Sequence, residues 1–593
     1  MEHFIIKYGD EIFEASEYQD KIFNNVKYGS GNMIISAAAG ASKTTTIVNC
    51  MNIIPDKLRV LFIAFNRDIV KSIKDRVGIM KNADVMTFHS LGYSILLENG
   101  IINHEQEPNE FKYRNYIKNN IDEISNYHET ASLEKNRKAY INNISSLVEY
   151  CRYYLAFTPK EIEEIAKLYG IVPYRDEISV TREVLKWGEN NTDTFDYTDM
   201  IWLPNVLNLT TKRHIYDWIL IDEAQDTSIA EQKIVDKCFG RGSRFIAVGD
   251  DHQKINVWCG ASEEAINNFR GRGNVETYKL PISYRCPKKI VEKASKFSDN
   301  IVAAPNAIEG EINYDVSAYD PKDGDMVLCR TTAPLIELHL RYNRVNKKSF
   351  VRGADSIKTK YLELIEKTGS KTIDRNFLTK DGLFPKLYGI LFSEIDRVRF
   401  AYGLDEDDAY SHQSVLKLYD YIEGISAISE GLSTVDELVN KINLIFNGDE
   451  NDAIQLSTIH KAKGLEADNV YILLSSLMPS RMAKKDWEKK TEKNLIYVAI
   501  TRAKKTLNYI KEDKGQWCRA NGGFDVAKMR DTLDVIRKKI EYNSTNSINE
   551  SRSLSGCSTI LRSVGKLGES TQVGTNNVLK KKKAGLKFSA LMD

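Results

Sequence analysis

A short apolar run, Ile34-Ile35-Ser36, passes through Ala37-Ala38-Ala39-Gly40-Ala41-Ser42 and enters Lys43-Thr44-Thr45-Thr46. This is the layout of a phosphate-binding loop. Small residues let backbone N–H groups curl around phosphate oxygens, and the helix that follows adds the positive end of its dipole. In that role Gly40, Ser42 and Thr45 belong to the cradle, Lys43 reaches the β- and γ-phosphates, and the Thr44 hydroxyl holds Mg²⁺. The pattern departs from G-x-x-x-x-G-K-[ST] at Ala37 and Ser42, and alone it is equally an ordinary strand–turn–helix. Far downstream, DWILI (217–221) runs into Asp222-Glu223-Ala224-Gln225-Asp226. Paired acids at the end of a strand suit nucleotide hydrolysis, with Asp222 on Mg²⁺ and Glu223 activating the attacking water. In isolation such acids could cap a helix; below a phosphate loop they point to catalysis.

The elements that must position these groups alternate between strand and helix. Apolar runs predict strands over 58–64, 83–86, 217–221 and 243–248, then over 326–329, 453–457 and 469–474, with helices from about Pro334 and over 494–502. The fold class expected is α/β: two parallel-sheet units in tandem, each interrupted by a mainly helical insertion. The divisions are 1–95, an insertion 96–194, 195–285, then 286–355, a second insertion 356–450, 451–544, and a disordered basic tail 545–593. The second unit has no phosphate loop, so the economical geometry is a cleft with nucleotide on the first unit and arginines from the second. Upstream, Ser16 reads as the N-cap of a helix, and Gln19 as either part of that helix or a reader of the adenine edge. Phe65-Asn66 and Thr87-Phe88-His89-Ser90 end strands, where a ligand crossing the sheet edge would meet them; singly, each is more often packing. In the first insertion Arg137, Lys138, Arg152 and nearby tyrosines could touch phosphates and bases, or form a solvated helical face.

Composition excludes several classes. The 593 residues carry a formal charge of +1, so a nucleic-acid site would be a local groove. The eight cysteines form no C-x-x-C pair, which argues against a zinc site or disulfide framework and fits a reducing compartment. Met1-Glu2-His3-Phe4 opens no signal peptide and no apolar run spans a bilayer, so a cytoplasmic protein with no membrane partner is expected.

The stretches DEAQD, VGDDHQ, TIHKAKGLE and YVAITRA, in that order and spacing, resemble the superfamily 1A DNA helicases, the UvrD/Rep/PcrA group. The resemblance covers roughly 15–95, 195–355 and 453–510. It implies two RecA-like domains, ATP and Mg²⁺ as cofactors, and 3′→5′ movement on single-stranded DNA with unwinding of duplex at single-strand/duplex junctions. The Q-D ending of DEAQD favours that polarity. Residue by residue it implies Gln19 on adenine, Tyr284 stacked on the base, Glu466 at the ribose, Gln253 sensing the γ-phosphate, and Arg285 and Arg502 as arginine fingers. Phe65, Asn66, His89, Trp258, Thr458 and His460 would line the single-strand path, with stacking that does not read sequence. Phe195-Asp196-Tyr197-Thr198-Asp199 resembles the family's acidic–aromatic segment. The departures are Ser42 in place of a glycine, which implies a strained or reshaped loop, Asn256 and Cys259 in place of a tyrosine and an arginine, and a reduced second insertion. The composition looks like phage-encoded relatives. Two other functions fit less of the pattern: a translocase that strips bound proteins with little unwinding, and a non-hydrolysing DNA-binding adaptor supported only by Ser42. The tail carries Lys580–Lys583 and ends in Leu586, Phe588, Leu591 and Met592, a candidate docking peptide for replication or recombination proteins.

Overall fold

The computed structural model describes residues 2–542 apart from 9–10, 65–68, 72, 75–81, 126–132, 172, 174–175, 258–259, 261–263, 403–408, 411, 447–452, 481–482, 484 and 513–529. An N-terminal hairpin, β1 (Ile5–Tyr8) and β2 (Glu11–Glu14), precedes the first sheet. That sheet contains β3 (Asn32–Ala37), β4 (Val60–Ala64), β5 (Ala83–Thr87), β6 (Tyr216–Ile221), β7 (Phe239–Gly249) and β8 (Val275–Leu280). Its strand order is β5-β4-β6-β7-β3-β8, parallel throughout. A two-stranded ribbon, β9 (Ile282–Ser283) with β10 (Val302–Ala303), pairs across the expected 285/286 division. The second sheet is β11 (Glu311–Val316), β12 (Met326–Cys329), β13 (Ser349–Val351), β14 (Ile454–Thr458), β15 (Ala467–Ile472) and β16 (Ala503–Ile510), in the order β11-β16-β15-β12-β14-β13, again parallel. The two parallel-sheet α/β domains expected from the sequence are present. Parallel strands need covered faces, and the runs VLFIA and MVLC are buried along their whole length.

The first insertion leaves the sheet after the Phe88–Glu98 helix and supplies the helices Lys112–Ile124, Leu133–Tyr154, Pro159–Tyr169 and Glu177–Asn190. One expectation for it fails. Arg152 is neither a phosphate contact nor part of a solvated face: it is buried, with Nη1 donating to Asp196 at 2.7 Å and to Asp199 at 3.0 Å. Lys112 donates to the other Asp199 oxygen at 2.7 Å, and the Tyr113 hydroxyl adds a 2.6 Å bond. Buried carboxylates require such partners. Here they come from insertion helices, so the acidic–aromatic segment fastens the insertion to the first domain. Arg137 does sit at the surface, paired with Asp122. The second insertion is helical, with Ala354–Thr368, Leu383–Tyr402, Gln413–Ile428 and Val435–Ile445. Leu147, Ala166 and Ile171 of the first insertion share a buried cluster with Leu387 and Leu391 of the second.

One helix crosses between the domains. Asp486–Ile500 begins earlier than the periodicity of 494–502 predicts, and at its start the Glu488 carboxylate accepts the Lys485 backbone N–H at 3.0 Å. There the Lys485 ammonium donates to the carbonyls of Lys167 and Leu168, and the Trp487 indole donates to Leu168, capping the Pro159–Tyr169 helix of the first insertion. Further along, the Asn494 amide donates to the carbonyls of Asp251 and Lys254, and the Tyr497 hydroxyl accepts from Ala39 N–H at 3.1 Å. Among the described residues no helix is long and apolar enough to cross a membrane.

Candidate functional site

β3 delivers its chain into a turn of buried alanines and then into the Lys43–Ile53 helix. Gly40 lies at φ +72°, and a Cβ there would stand 2.6 Å from the Arg285 Cβ, so only glycine allows this approach. Its carbonyl accepts from Tyr284 N–H at 3.0 Å. Ser42 adopts φ +56°, ψ +38°, a left-handed conformation, so of the strained and the reshaped loop that its place implied, the strained one is present. For an L-residue this costs about 1–2 kcal/mol, of which glycine's greater freedom in the unfolded chain would take back about 0.4–1. Ser42→Gly is therefore expected to raise stability by about 0–1.6 kcal/mol and to leave ATP turnover equal or faster. A denaturant midpoint and a steady-state assay check this, and failure of the variant to bind ATP would give the serine a role of its own.

β6 ends beside the loop. The Thr44 hydroxyl donates to Asp222 Oδ2 at 2.7 Å, and Lys43 Nζ lies 3.5 Å from Glu223 Oε1. Glu223 itself has φ +51°, a second strained residue within the site. Burial and the neighbouring Glu223 charge raise the pKa of Asp222. Burial would raise Glu223 as well, but Lys43 and Lys463, with the Gln225 amide, outweigh it and hold Glu223 low and ionised. Burial opposes the charge on Lys43, yet Glu223, Asp250 and Asp222 together keep its pKa above the ordinary value. Thr44 and Asp222 offer adjacent hard oxygens of the kind Mg²⁺ takes, so the donor set fits that ion.

Side chains from the neighbouring strand and from the second domain complete the surroundings. Asp250, just past β7, accepts from the Gln253 amide at 2.6 Å, and Gln253 Oε1 accepts from Arg502 Nη2 at 3.1 Å. Arg502 is 1% exposed and also donates to the carbonyls of Val498 and Leu465. Burial and the nearby Arg285 lower its pKa to about 10, which leaves it charged near neutrality. Arg285 Nε donates to Glu466 at 2.5 Å, so these two expected nucleotide contacts hold each other. Tyr284 is half exposed beside the loop. The structure thus gathers Gly40, Ser42, Lys43, Thr44, Thr45, Asp222, Glu223, Gln253, Arg285, Arg502, Tyr284 and Glu466 around one cleft.

Gln19 is buried. Its amide oxygen closes a capping box with Ser16, and its nitrogen donates to Thr46 at 3.0 Å. His89 follows Thr87, which caps the Phe88–Glu98 helix. Thr458 ends β14, with His460 next but one, its imidazole held at about 3 by burial and Arg330. Phe65, Asn66, Trp258 and the tail fall outside the described residues.

Three participants escaped the sequence reading. Lys463 forms an ion pair with Asp226 and bears electrostatically on Glu223. Asp250 positions Gln253, and Tyr497 holds the loop N–H of Ala39. Lys463 and Asp250 lie inside motifs already quoted. Their signal was a charged residue within two to four positions of a strand end or of another site residue.

Residues 18–273 match the UvrD/REP helicase N-terminal domain, and residues 354–514 the UvrD-like helicase C-terminal domain. An ATP-dependent DNA helicase Rep from Buchnera aphidicola subsp. Baizongia pistaciae is 25% identical over 53% of this chain and 48% of its own length. The Rep of Buchnera aphidicola subsp. Acyrthosiphon pisum is 22% identical over 82% of this chain and 93% of its own. A probable DNA helicase II homolog of Mycoplasma capricolum subsp. capricolum is 23% identical over 81% and 82%. The chain therefore spans about half the length of the first of these relatives and most of the other two.

Proposed function

The chain belongs to the UvrD-like family of superfamily 1 DNA helicases, which makes it a DNA-dependent ATPase by family, and from that premise we propose that it moves 3′→5′ along single-stranded DNA and unwinds duplex ahead of it. The observation that carries the reading is the contact of Arg502 with Gln253: an arginine on one domain meets a side chain beside the phosphate loop of the other. A γ-phosphate between them would tie the two domains together, and its departure would release them.

In this mechanism Lys43 and the loop N–H groups hold the β- and γ-phosphates. Glu223, kept ionised, takes the proton of the attacking water. Gln253 orients the γ-phosphate, while Arg285 and Arg502 neutralise charge on the transferring phosphoryl group. Lys463 approaches from the second domain on the same side as Glu223. Tyr284 stacks on the base, Gln19 gives up its bonds to Ser16 and Thr46 to read the base edge, and Glu466 turns from Arg285 to the ribose. Thr44 and Asp222 would hold Mg²⁺, which when bound neutralises phosphate charge. Trp258, Phe65, Asn66, His89, Thr458 and His460 grip the strand, and alternating grip between the domains ratchets it through. On this reading the partners are single strands and single-strand/duplex junctions, and the setting is the cytoplasm.

The test is ATP hydrolysis with and without single-stranded DNA, paired with strand displacement on 3′- and 5′-tailed duplexes. Stimulated hydrolysis with displacement of the 3′-tailed substrate alone is expected. Stimulation with poor displacement would indicate a protein-stripping translocase, and DNA binding without hydrolysis an adaptor.

A further inference from the structure

The helix Asp486–Ile500 is about 22 Å long and leads into Arg502, the arginine that meets Gln253. Its other end is pinned to the first insertion. Lys485 Nζ donates to the Leu168 carbonyl at 2.8 Å and to the Lys167 carbonyl at 3.3 Å, and Trp487 Nε1 donates to Leu168 at 3.3 Å. A cation there complements the dipole of the Pro159–Tyr169 helix at its C-terminal end. Tyr169, the next residue, is held in turn. Its ring stacks on Tyr150, with centroids 3.7 Å apart and planes 2° from parallel, and lies 6.4 Å from the Trp487 ring. Its hydroxyl is 3.0 Å from the Val257 carbonyl and 3.2 Å from the Tyr154 hydroxyl. A phenol carries one proton and a carbonyl can only accept, so Tyr169 donates to Val257 and its oxygen accepts from Tyr154. The Val257 carbonyl also takes the Gly260 N–H at 3.1 Å. Gly260 lies at φ +88°, and a Cβ there would stand 2.6 Å from the Tyr153 ring. Tyrosines of the first insertion thus hold both Val257 and Gly260, which bracket Trp258 in the sequence.

One helix of the second domain therefore has the phosphate site at one end and, through Leu168 and Tyr169, the peptide carbonyl that precedes Trp258 at the other. Between the two ends Asn494 and Tyr497 seat the same helix on the Asp251 and Lys254 carbonyls and on Ala39 N–H. A hydrogen-bonded helix of this length moves as one piece, so a displacement at Arg502 is felt at Lys485. We propose that Lys485, Trp487 and Tyr169 form a strut that sets the Val257 carbonyl according to whether the cleft is closed on nucleotide, and so routes the coupling between nucleotide and single-stranded DNA through the first insertion. Tyr169 is a positioning residue in this scheme: it acts through the Val257 carbonyl. The proposal rests on the DNA-translocating reading above and gives its two sites a connection besides the direct contacts across the cleft.

The experiment measures oligothymidylate affinity of the full chain with and without a non-hydrolysable ATP analogue and Mg²⁺. The ratio of the two affinities is the coupling between the sites. Tyr169→Phe removes the hydroxyl and keeps the ring; Lys485→Met/Trp487→Phe removes the donors at the Leu168 and Lys167 carbonyls and keeps their bulk. Each should bring the ratio closer to one by at least about twofold, with ATP hydrolysis in the absence of DNA unchanged. Because the two changes break one strut in series, the triple variant should lose no more coupling than the worse of them, whereas independent structural damage would add. Tyr169→Phe keeps the stack on Tyr150 and decides the matter alone should the double variant fold poorly. A wild-type ratio in Tyr169→Phe, additive losses in the triple variant, or a ratio of one in the wild-type chain overturns the strut and leaves the translocase standing. A wild-type chain that does not bind the oligonucleotide overturns both.

Discussion

Arg502→Ala is expected to lower ATP turnover at saturating ATP and single-stranded DNA by about 10³–10⁵-fold, the range found for removal of an arginine finger. The expectation comes from where the side chain is held. Arg502 is buried, its Nη2 reaches Gln253 across the cleft, and two backbone carbonyls fix the rest of the guanidinium. A planar fork held in this way delivers charge to a transferring phosphoryl group without reorganisation. Arg502→Lys keeps a charge but loses the fork, so its turnover should fall between alanine and wild type. ATP affinity should change by only a few-fold in either variant. Because Arg502 also ties backbone together, a thermal midpoint accompanies the kinetics. Turnover within about tenfold of wild type in a folded alanine variant would remove Arg502 from the chemistry.

Glu223→Gln should cost about 10²–10⁴-fold in turnover, the usual contribution of a positioned general base, with nucleotide binding preserved. Lys43 and Lys463 keep this carboxylate ionised although it is largely buried, and the amide cannot accept a proton. The substitution also removes the negative partner of Lys43, so ATP should bind as tightly or more tightly. Single-turnover hydrolysis and a binding titration separate the two effects. Near-normal hydrolysis would place the base elsewhere.

Most of the candidate site was legible because its groups are local to short motifs. Lys43 and Thr44 open the helix after the β3 loop, Asp222 and Glu223 follow the end of β6, and Ser42 stands where glycine is usual, which implied strain or a changed loop shape. The parallel sheets were legible where strands are apolar runs, with ends mostly shifted by a residue or two and β7 beginning four residues before the predicted start, but β8, β11, β13 and β16 were not predicted: β8, β11 and β16 mix polar residues into the strand, and β13 is only three residues long. What the sequence hid was contact across the cleft. Lys463 with Asp226, Tyr497 with Ala39 N–H, and Lys485 and Trp487 on the Leu168 carbonyl join positions far apart in the chain. No periodicity encodes such pairs. Arg152 was misjudged for the same reason: a basic residue on a charged, tyrosine-rich helix reads as solvated until its two aspartates arrive from another element.

The strand order of the first sheet also bears on how the protein is made. β3 carries the phosphate loop, yet its neighbours are β7 and β8, while β4 and β5, which follow it in sequence, lie further across the sheet. A ribosome releases β3 early and its partners last, after the entire first insertion. From Ala37 to Phe239 is roughly two hundred residues, about 10–40 s of synthesis at 5–20 residues per second. Throughout that interval Met33, Ile34 and Ile35 have no strand on either side. The insertion helices can close their own core around Ile117, Ile144 and Val184 meanwhile. The first compact body on the nascent chain is thus the insertion, and an apolar strand waits beside it as a client for chaperones. Nucleotide cannot assist this stage, because its cradle does not exist until β8 has emerged.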